Sequence, residues 1–444
     1  MNSFSIKKRL SPFQIIFIGF AAVILIGALI LMLPVSSQSG EVTPFSDAVF
    51  TSTSAVCVTG LVVRDTGSYW SVFGQSVILL LIQIGGLGVV TVAASLAMLS
   101  KKKISLSQRS TMQEAVAAHK VGGVAKLTRF ILTVTFSIEF IGALLLMPVF
   151  CTEFGLKGIW YSFFHSISAF CNAGFDILGT PENPFSSLTG YMGNPLLVLS
   201  IVFLIVAGGI GFLTWEDIRT NKFRVRRYRM QSKVILLTSF VLILFPAVYF
   251  YIFEYSDLAA KERILASLFQ AVTPRTAGFN TTDHNLMTGA GRTFLIALML
   301  IGGSPGSTAG GMKTTTFAVL FANAASVFKR KEDPEMFGRR IEPSTIKNAS
   351  AILILYITLF LGGAVVISIA EGLPITTCIY ETASAVGTVG LSLGLTPTLG
   401  TVSRIVLILL MFLGRVGGLT VIYAALSGHN KKLSKLPQER ITVG

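Results

Sequence analysis

The chain has 444 residues, of which 52% are hydrophobic and only 13% are charged, and its formal net charge is +15. Because soluble domains carry about 25% charged residues, this composition excludes a soluble enzyme and a soluble nucleic-acid-binding protein. Apolar runs of about 20 residues, the length that crosses a bilayer, recur along the chain and indicate a polytopic membrane protein.

The positive charge is concentrated in alternate loops. Most of the Lys and Arg residues fall in five segments: residues 7–9, 101–129, 216–233, 329–347 and the tail after Gly428. The positive-inside rule assigns these segments to the cytoplasm. The opposite loops carry more acidic than basic residues, so the outer surface would attract cations. The sequence therefore predicts a multi-pass plasma-membrane protein with both termini in the cytoplasm.

Four repeats of the same order follow one another along the chain. Each has a long apolar run, a shorter amphipathic segment, a loop with glycine and a second apolar run. We expect the repeats at residues 1–100, 101–230, 231–345 and 346–427, followed by a tail at 428–444. The first spans are predicted at 13–33, 130–150, 234–253 and 349–370, and the second spans at 73–99, 195–215, 293–328 and 402–426. The predicted fold class is an all-α membrane protein in which four helix–pore-loop–helix repeats surround a central pore with pseudo-fourfold symmetry.

The four short segments align on one glycine each. The stretch before this glycine has about 10–12 residues, or roughly 15–18 Å of helix, which reaches half way across a membrane. Irregular backbone is costly in lipid, so the loops should converge on a wet axis. There their carbonyl groups can replace the hydration shell of an alkali cation. The predicted filter takes three residues from each repeat: Val58, Thr59 and Gly60; Asn172, Ala173 and Gly174; Thr276, Ala277 and Gly278; Thr388, Val389 and Gly390.

The second apolar run of repeat 3 is interrupted by a segment with five glycines and one proline. These residues disfavour a helix by about 1–3 kcal/mol each, so an unwound segment is expected below the filter. A simple kink between packed helices is the alternative interpretation. The segment consists of Gly302, Gly303, Ser304, Pro305, Gly306, Ser307, Thr308, Ala309, Gly310 and Gly311.

Two basic residues lie at membrane depth, Lys313 after this segment and Arg415 in the last apolar run. A basic side chain there costs about 2.5–3.5 kcal/mol, so both should face water or carbonyl groups. We predict that Arg415 donates hydrogen bonds to carbonyl groups of residues 302–311 and holds this segment across the pore. Snorkelling of Arg415 to the cytoplasmic interface is the alternative.

Several other polar residues receive structural interpretations. Arg275, close to the filter, is expected to point behind it toward a carboxylate such as Glu381. Glu139 is interpreted as a structural group bonded to a neighbouring helix, with ion coupling as the alternative. His165 is interpreted as a packed polar residue. Thr43-Pro44 is expected to provide the cap and the first residue of the first short helix.

Three motifs carry a family resemblance. They are Phe-Gln-Ala-Val-Thr-Pro-Arg-Thr-Ala-Gly-Phe-Asn at 269–280, Ile-Gly-Gly-Leu-Gly at 84–88, and Gly-Thr-Val-Gly at 387–390 followed by Leu-Ser-Leu-Gly-Leu-Thr-Pro. With these motifs the chain resembles the Trk/Ktr/HKT superfamily of cation transporters, in particular the bacterial Ktr membrane subunits. The resemblance implies K⁺ uptake, often stimulated by Na⁺, through a homodimer in which each subunit has its own pore. It also implies a cytosolic ring of nucleotide-binding RCK-type subunits and assigns gating to residues 302–311.

Other functions fit the sequence less well. An alternating-access secondary carrier for Na⁺ or K⁺ is the alternative, but it would favour two inverted halves with charged side chains at the midplane. No catalytic constellation lies at matched depth, so an enzyme is not expected. The segment 306–313 is similar to a Walker A loop, yet it has one residue too many before the lysine and interrupts a span. We therefore expect no cofactor in this chain, with K⁺ as the transported ion and Na⁺ as an activator.

Overall fold

The computed structural model describes residues 11–99, 111–113 and 124–425. Within these ranges the chain is helical apart from loops and one two-stranded hairpin. This confirms the predicted all-α fold class. Both predicted cytoplasmic termini and most of the basic segment 101–129 lie outside the described residues.

Each repeat contributes a long helix, a short helix and a broken second helix. Repeat 1 contains α1 (Pro12–Leu31), α2 (Phe45–Val56), α3 (Val72–Leu87) and α4 (Val89–Leu99). Repeat 2 contains α5 (Val124–Phe154), α6 (Lys157–Phe170), α7 (Pro195–Gly209) and α8 (Phe212–Asn221). Repeat 3 contains α9 (Met230–Phe253), α10 (Ala260–Val272), α11 (Gly289–Leu300), α12 (Thr314–Phe328), β1 (Glu335–Met336) and β2 (Arg339–Arg340). Repeat 4 contains α13 (Pro343–Glu371), α14 (Ile375–Gly387), α15 (Thr401–Val416) and α16 (Gly418–Ala425).

The long helices α1, α5, α9 and α13 form the outside of the molecule. Their lengths of 20, 31, 24 and 29 residues are sufficient to cross a hydrocarbon core. Large apolar side chains on them point outward, among them Leu29 at 60%, Phe245 at 65% and Ile369 at 80% exposure. Such surfaces are stable in lipid and not in water, so these four helices face the bilayer.

The short helices α2, α6, α10 and α14 have 12 to 14 residues, about two thirds of the roughly 20 residues that a membrane crossing requires. The predicted start of the first one is wrong by one residue. Pro44 has an extended ψ of 139°, which makes it the N-cap, and the helix begins at Phe45 without a side-chain cap. Thr43 instead accepts a hydrogen bond from the Tyr69 hydroxyl at 3.2 Å.

The second helices of repeats 1 and 2 are sharply bent, which corrects the expectation of continuous spans at 73–99 and 195–215. The axis turns by 94° between α3 and α4 and by 95° between α7 and α8. Each turn is made at one glycine of positive φ, Gly88 (φ 84°, ψ 133°) and Gly211 (φ 88°, ψ 143°). Gly417, between α15 and α16, has φ 89° and ψ 127°. This conformation is accessible to glycine and strained for other residues, so one residue turns the chain.

Repeat 3 is interrupted differently. Its second helix ends at Leu300 and resumes at Thr314, and the connection includes residues 302–311, named the inner loop from here on. Gly302 N donates to Met312 O at 2.8 Å, and Ser304 Oγ lies 3.1 Å from Thr314 Oγ1. The two ends of the inner loop are therefore held together.

Candidate ion pathway

The four predicted filter glycines meet around one axis. A Cβ atom added to any of them would lie under 3.0 Å from a backbone oxygen of the next repeat. The pairs are Gly60 with Ala173 O, Gly174 with Ala277 O, Gly278 with Val389 O, and Gly390 with Thr59 O. Because each repeat contacts the following one and the fourth contacts the first, the four loops close into a ring. The ring leaves no space for any side chain at the glycine positions.

The four loops also share one backbone conformation. The residue two positions before each glycine has a positive φ, as does the glycine itself. These residues are Val58 (55°), Asn172 (57°), Thr276 (72°) and Thr388 (51°). A positive φ is unusual for a residue with a side chain and is a genuine strain for the β-branched ones. All four loops therefore share the same unusual conformation where they meet in the ring.

A hydroxyl group on each short helix, or just after it, holds the loop that follows. Gly60 N donates to Ser54 Oγ at 3.1 Å, and Gly390 N donates to Ser384 Oγ at 3.0 Å. In the other two repeats the hydroxyl donates to the carbonyl group after the glycine, at 2.7 Å in both cases: Ser168 to Phe175 and Thr273 to Phe279. None of these four hydroxyl residues is among the site residues predicted from the sequence. Their signal is a Ser or Thr six positions before the glycine, or five in repeat 3.

A cavity of about 400 Å³ lies against the ring of glycines. Three carboxylate residues line it, Asp65, Asp176 and Asp283. Asp65 accepts hydrogen bonds from Ser68 Oγ at 2.7 Å and from Phe185 N at 2.8 Å. Burial, and secondarily the nearby Asp65 carboxylate, raise the pKa of Asp176 to about 7. Because three carboxyl groups line the cavity, the approach to the ring is acidic, which favours cations over anions. The raised pKa means that Asp176 contributes its charge mainly above pH 7.

The inner loop packs directly against the filter segments. It contacts repeat 2, where Ser304 N donates to Gly209 O at 2.9 Å, and repeat 4, where Gly311 N donates to Gly414 O at 3.3 Å. A Cβ atom on Gly310 would lie under 3.0 Å from Thr388 Oγ1. The inner loop thus bridges two repeats that are not neighbours in the ring.

Arg415 and Lys313 both donate to carbonyl groups. Arg415 donates to Thr308 O in the inner loop and to Gly85 O and Gly86 O at the end of α3, the last at 3.1 Å. Lys313 Nζ donates to Ala309 O at 2.8 Å. The hydrogen bond expected between Arg415 and the inner loop is present, and its role in gating stays a prediction.

The expected pairing of Arg275 with Glu381 is wrong. Arg275 Nη2 donates to Ser239 Oγ on α9 at 3.2 Å. The Glu381 carboxylate accepts hydrogen bonds from Ser392 Oγ at 2.6 Å and from Thr396 Oγ1 at 2.9 Å, both in the loop after its own filter segment. Glu381 is therefore satisfied within repeat 4, and Arg275 lies toward the outer helix of repeat 3.

Glu139 and His165 have local partners. Gln83 Nε2 on α3 donates to Glu139 Oε2 at 3.3 Å, and His165 Nδ1 lies 2.7 Å from Tyr161 O one turn earlier in α6. Both residues are buried, and neither lines the cavity against the glycine ring. These contacts agree with their interpretation as structural groups.

An all-helical chain with lipid-facing outer helices, four equivalent pore loops and an acidic approach defines a membrane cation transport protein. Comparison with known proteins gives the family. The family model TrkH, described as a cation transport protein, matches residues 7–434. The chain therefore belongs to the TrkH cation transport family.

Individual relatives cover nearly the whole chain. It is 42% identical over 451 residues to the potassium/sodium uptake protein NtpJ of Enterococcus hirae, covering 99% of this chain and 98% of NtpJ. It is 40% identical over 425 residues to the Ktr system potassium uptake protein B of Bacillus subtilis, covering 94% and 93%. The fold is similar to the crystal structure of the potassium transporter TrkH from Vibrio parahaemolyticus, with a TM-score of 0.75, 18% identity, and coverage of 95% of this chain and 86% of that chain.

Proposed function

We propose that this protein takes up K⁺ across the plasma membrane through a channel-like pore on the axis of the glycine ring. The observation that carries the proposal is the closed contact of the four loops, in which a backbone oxygen of each repeat lies against the glycine of its neighbour. Rings of backbone oxygens can replace the water that an alkali cation loses on entry. The twelve predicted filter residues at 58–60, 172–174, 276–278 and 388–390 supply these oxygens.

The four equivalent repeats favour a pore over an alternating-access carrier. A carrier is expected to have two inverted halves and charged side chains at the midplane. Here the ring is closed by four loops of one conformation, and its contacts are made by glycine and backbone atoms. K⁺ and Na⁺ would therefore be distinguished by backbone oxygens and not by a carboxylate that alternates between two sides.

The inner loop is proposed as the gate of this pore. It lies against filter residues of repeats 2 and 4, and Arg415 holds its Thr308 carbonyl group. A segment with this little helical structure can leave the pathway when those few contacts break, whereas the packed helices around it stay in place. Residues 302–311, together with Lys313 and Arg415, would then decide whether ions pass.

K⁺ uptake is further proposed to be controlled by a separate regulatory subunit. Three similar proteins are named as components of a Ktr system, which implies that the membrane component works with another subunit. We expect this protein to form a homodimer with one pore in each subunit and to bind a cytosolic RCK-type nucleotide-binding ring. Na⁺ would stimulate uptake, and the chain itself would hold no cofactor.

The direct test is ⁸⁶Rb⁺ uptake and growth at low K⁺ in a bacterium that lacks its own K⁺ uptake systems. Gly278 has φ +78° and no space for a Cβ atom, so Gly278→Ser should change apparent K⁺ affinity and the preference for K⁺ over Na⁺. Gly289→Ser is the matched control, because no atom lies within 4 Å of a Cβ at that position. Unchanged affinity and preference in Gly278→Ser would contradict the filter assignment.

A further inference from the structure

The hydroxyl group of Thr308 in the inner loop is bonded directly to the filter segment of repeat 2. Thr308 Oγ1 donates a hydrogen bond to the carbonyl oxygen of Phe170 at 2.9 Å and accepts one from Asn172 Nδ2 at 2.9 Å. All three residues are fully buried, and hydrogen bonds are electrostatically stronger in such surroundings than in water. The inner loop and the filter therefore share one hydrogen-bonded unit.

The orientation of the Asn172 side-chain amide follows from this unit. A carbonyl oxygen can only accept, so the single proton of the Thr308 hydroxyl goes to Phe170. The Asn172 atom that faces Thr308 must then be a donor, which places Nδ2 toward the inner loop. Asn172 Oδ1 is left buried, and no hydrogen-bond partner for it exists in the part of the chain that the structure describes. A buried oxygen without a donor is unfavourable unless a cation uses it.

The other three repeats do not form this connection. The residues at the same position are Val58, Thr276 and Thr388. Val58 has no polar side-chain atom, and the hydroxyl groups of Thr276 and Thr388 have no hydrogen-bond partner among the described residues. The inner loop is thus hydrogen-bonded to a side chain of the filter in repeat 2 and not in the others, within the described ranges.

Gly208 on α7 provides the space in which these groups meet. A Cβ atom there would lie under 3.0 Å from Phe170 O and from Thr308 Oγ1, and 3.0 Å from Asn172 Nδ2. Thr308 N in addition donates to Gly208 O at 3.3 Å. Because α7 closes over the unit this tightly, the Asn172 amide has little freedom while Thr308 is in place.

We propose that Thr308 is a positioning residue that couples the inner loop to ion selection in the filter. The proposal rests on the proposed function, since it needs a filter that binds K⁺ and an inner loop that moves. With the loop in place, Thr308 holds the Asn172 amide so that Oδ1 is available to a K⁺ ion at this end of the filter. When the loop leaves, Asn172 Nδ2 loses Thr308 Oγ1 as its acceptor and keeps only the longer contact with Phe170 O at 3.4 Å, so the amide can rotate more freely.

Coupling of this kind acts in both directions. If the loop position strengthens K⁺ binding through Asn172, then K⁺ in the filter must stabilise the same loop position by an equal factor. The closed loop and an occupied filter would therefore support one another. Opening would then need either the partner subunit or a low K⁺ occupancy.

The test compares ion binding and ion flux in the purified full-length chain. Binding is measured as stabilisation against heat by KCl and by NaCl at constant ionic strength with choline chloride. Thr308→Val keeps the shape and removes the hydroxyl, and should lower the ratio of K⁺ affinity to Na⁺ affinity about fivefold, the factor given by one hydrogen bond of about 1 kcal/mol. Thr308→Ser should restore the ratio.

A matched control separates coupling from simple loosening of the loop. Thr314→Val removes the hydroxyl group that lies 3.1 Å from Ser304 Oγ and joins the two ends of the loop. It keeps the Thr308 hydroxyl, so it should raise ⁸⁶Rb⁺ flux in proteoliposomes and lower the affinity ratio by less than Thr308→Val does. Asn172→Leu should lower the ratio as Thr308→Val does, and the double variant should show no further loss, because the two residues act as one unit.

Two results would overturn the inference. A ratio in Thr308→Val equal to that of the wild type, with the wild type conducting ⁸⁶Rb⁺, would show that Thr308 only holds the loop. Full additivity of Thr308→Val and Asn172→Leu would show that the residues act separately. If the wild-type protein neither binds K⁺ nor carries ⁸⁶Rb⁺, the proposed function fails and takes this inference with it.

Discussion

The two sides of the glycine ring are built on different plans. On the filter side, all four repeats use the same device: a short helix, a serine or threonine hydroxyl, a residue of positive φ and a glycine. On the other side, within the described residues, repeats 1, 2 and 4 have one glycine of positive φ inside the second helix, and repeat 3 has the inner loop. Four similar loops can surround a central ion with backbone oxygens, whereas one segment is enough to block a narrow path. The difference fits the proposal that ion selection is shared by the four repeats and that gating belongs to the inner loop of repeat 3.

Removal of the Arg415 side chain should have the largest effect. Hydrogen bonds that involve a charged group contribute about 1.5–3 kcal/mol, so Arg415→Ala should raise ⁸⁶Rb⁺ uptake in the absence of any regulatory subunit by about tenfold or more. In this variant Lys313 would still donate a hydrogen bond to the Ala309 carbonyl group, so the inner loop would keep one of its two basic anchors. Uptake and dependence on a regulatory subunit equal to those of the wild type would show that the inner loop is not held by Arg415.

The two glycine turns separate fold stability from gating. Gly88 and Gly211 have nearly the same backbone angles, so alanine at either position should cost about 1–3 kcal/mol and lower the unfolding temperature. A Cβ at Gly211 would also lie 2.7 Å from Pro305 O in the inner loop, whereas at Gly88 the nearest atom is 3.9 Å away. Gly211→Ala should therefore increase ⁸⁶Rb⁺ leak and Gly88→Ala should not. Equal ⁸⁶Rb⁺ leak in the two variants would show that contact of residue 211 with Pro305 O does not affect gating.

Removal of one hydroxyl group that holds a filter loop should have a smaller effect than the changes above. The size of this effect should be equal in different repeats. Ser54→Ala and Ser384→Ala each leave a glycine N–H without its acceptor. Each variant should lower the preference for K⁺ over Na⁺ about fivefold, the equivalent of about 1 kcal/mol. Competition of Na⁺ with ⁸⁶Rb⁺ uptake measures this preference. A marked change for one serine and none for the other would contradict the equivalence of the repeats.

Removal of the Asp176 charge from the acidic approach should have the smallest effect, and this effect should depend on the external pH. The pKa of Asp176 is raised to about 7, so its carboxyl group is mostly neutral below pH 7 and mostly charged above it. Asp176→Asn should weaken apparent K⁺ affinity about twofold at external pH 8, because a nearby carboxylate attracts cations modestly in water. At pH 6 the variant and the wild type should agree. An equal loss at both pH values would exclude the charge as the cause.

Some of this arrangement could be predicted from the sequence, and the reasons are physical. The lipid-facing helices follow from apolar runs such as Phe13 to Leu33, because only hydrocarbon tolerates them. The four filter glycines can be predicted because glycine recurs at the same place in each of the four repeats. The structure brings these glycines together. Their role in binding K⁺ stays a prediction.

Other features are set by contacts between distant parts of the chain. Gly88 lies inside an apolar run, where glycine serves helix packing as readily as a 94° turn. The partner of Arg275 depends on which helix packs beside it, and Ser239 is 36 residues away. The bond from Thr308 to Phe170 joins residues 138 apart. No local pattern in the sequence specifies such pairs.

The most direct measurement is the position of a bound ion. Crystals of the full-length protein grown in RbCl, with data collected at the rubidium absorption edge, would show where the ion lies. We expect an anomalous peak on the axis among Gly60, Gly174, Gly278 and Gly390, against the backbone oxygens of residues 59, 173, 277 and 389, and its loss on exchange into choline chloride. Rubidium bound elsewhere in the protein, with none at this ring, would contradict the account.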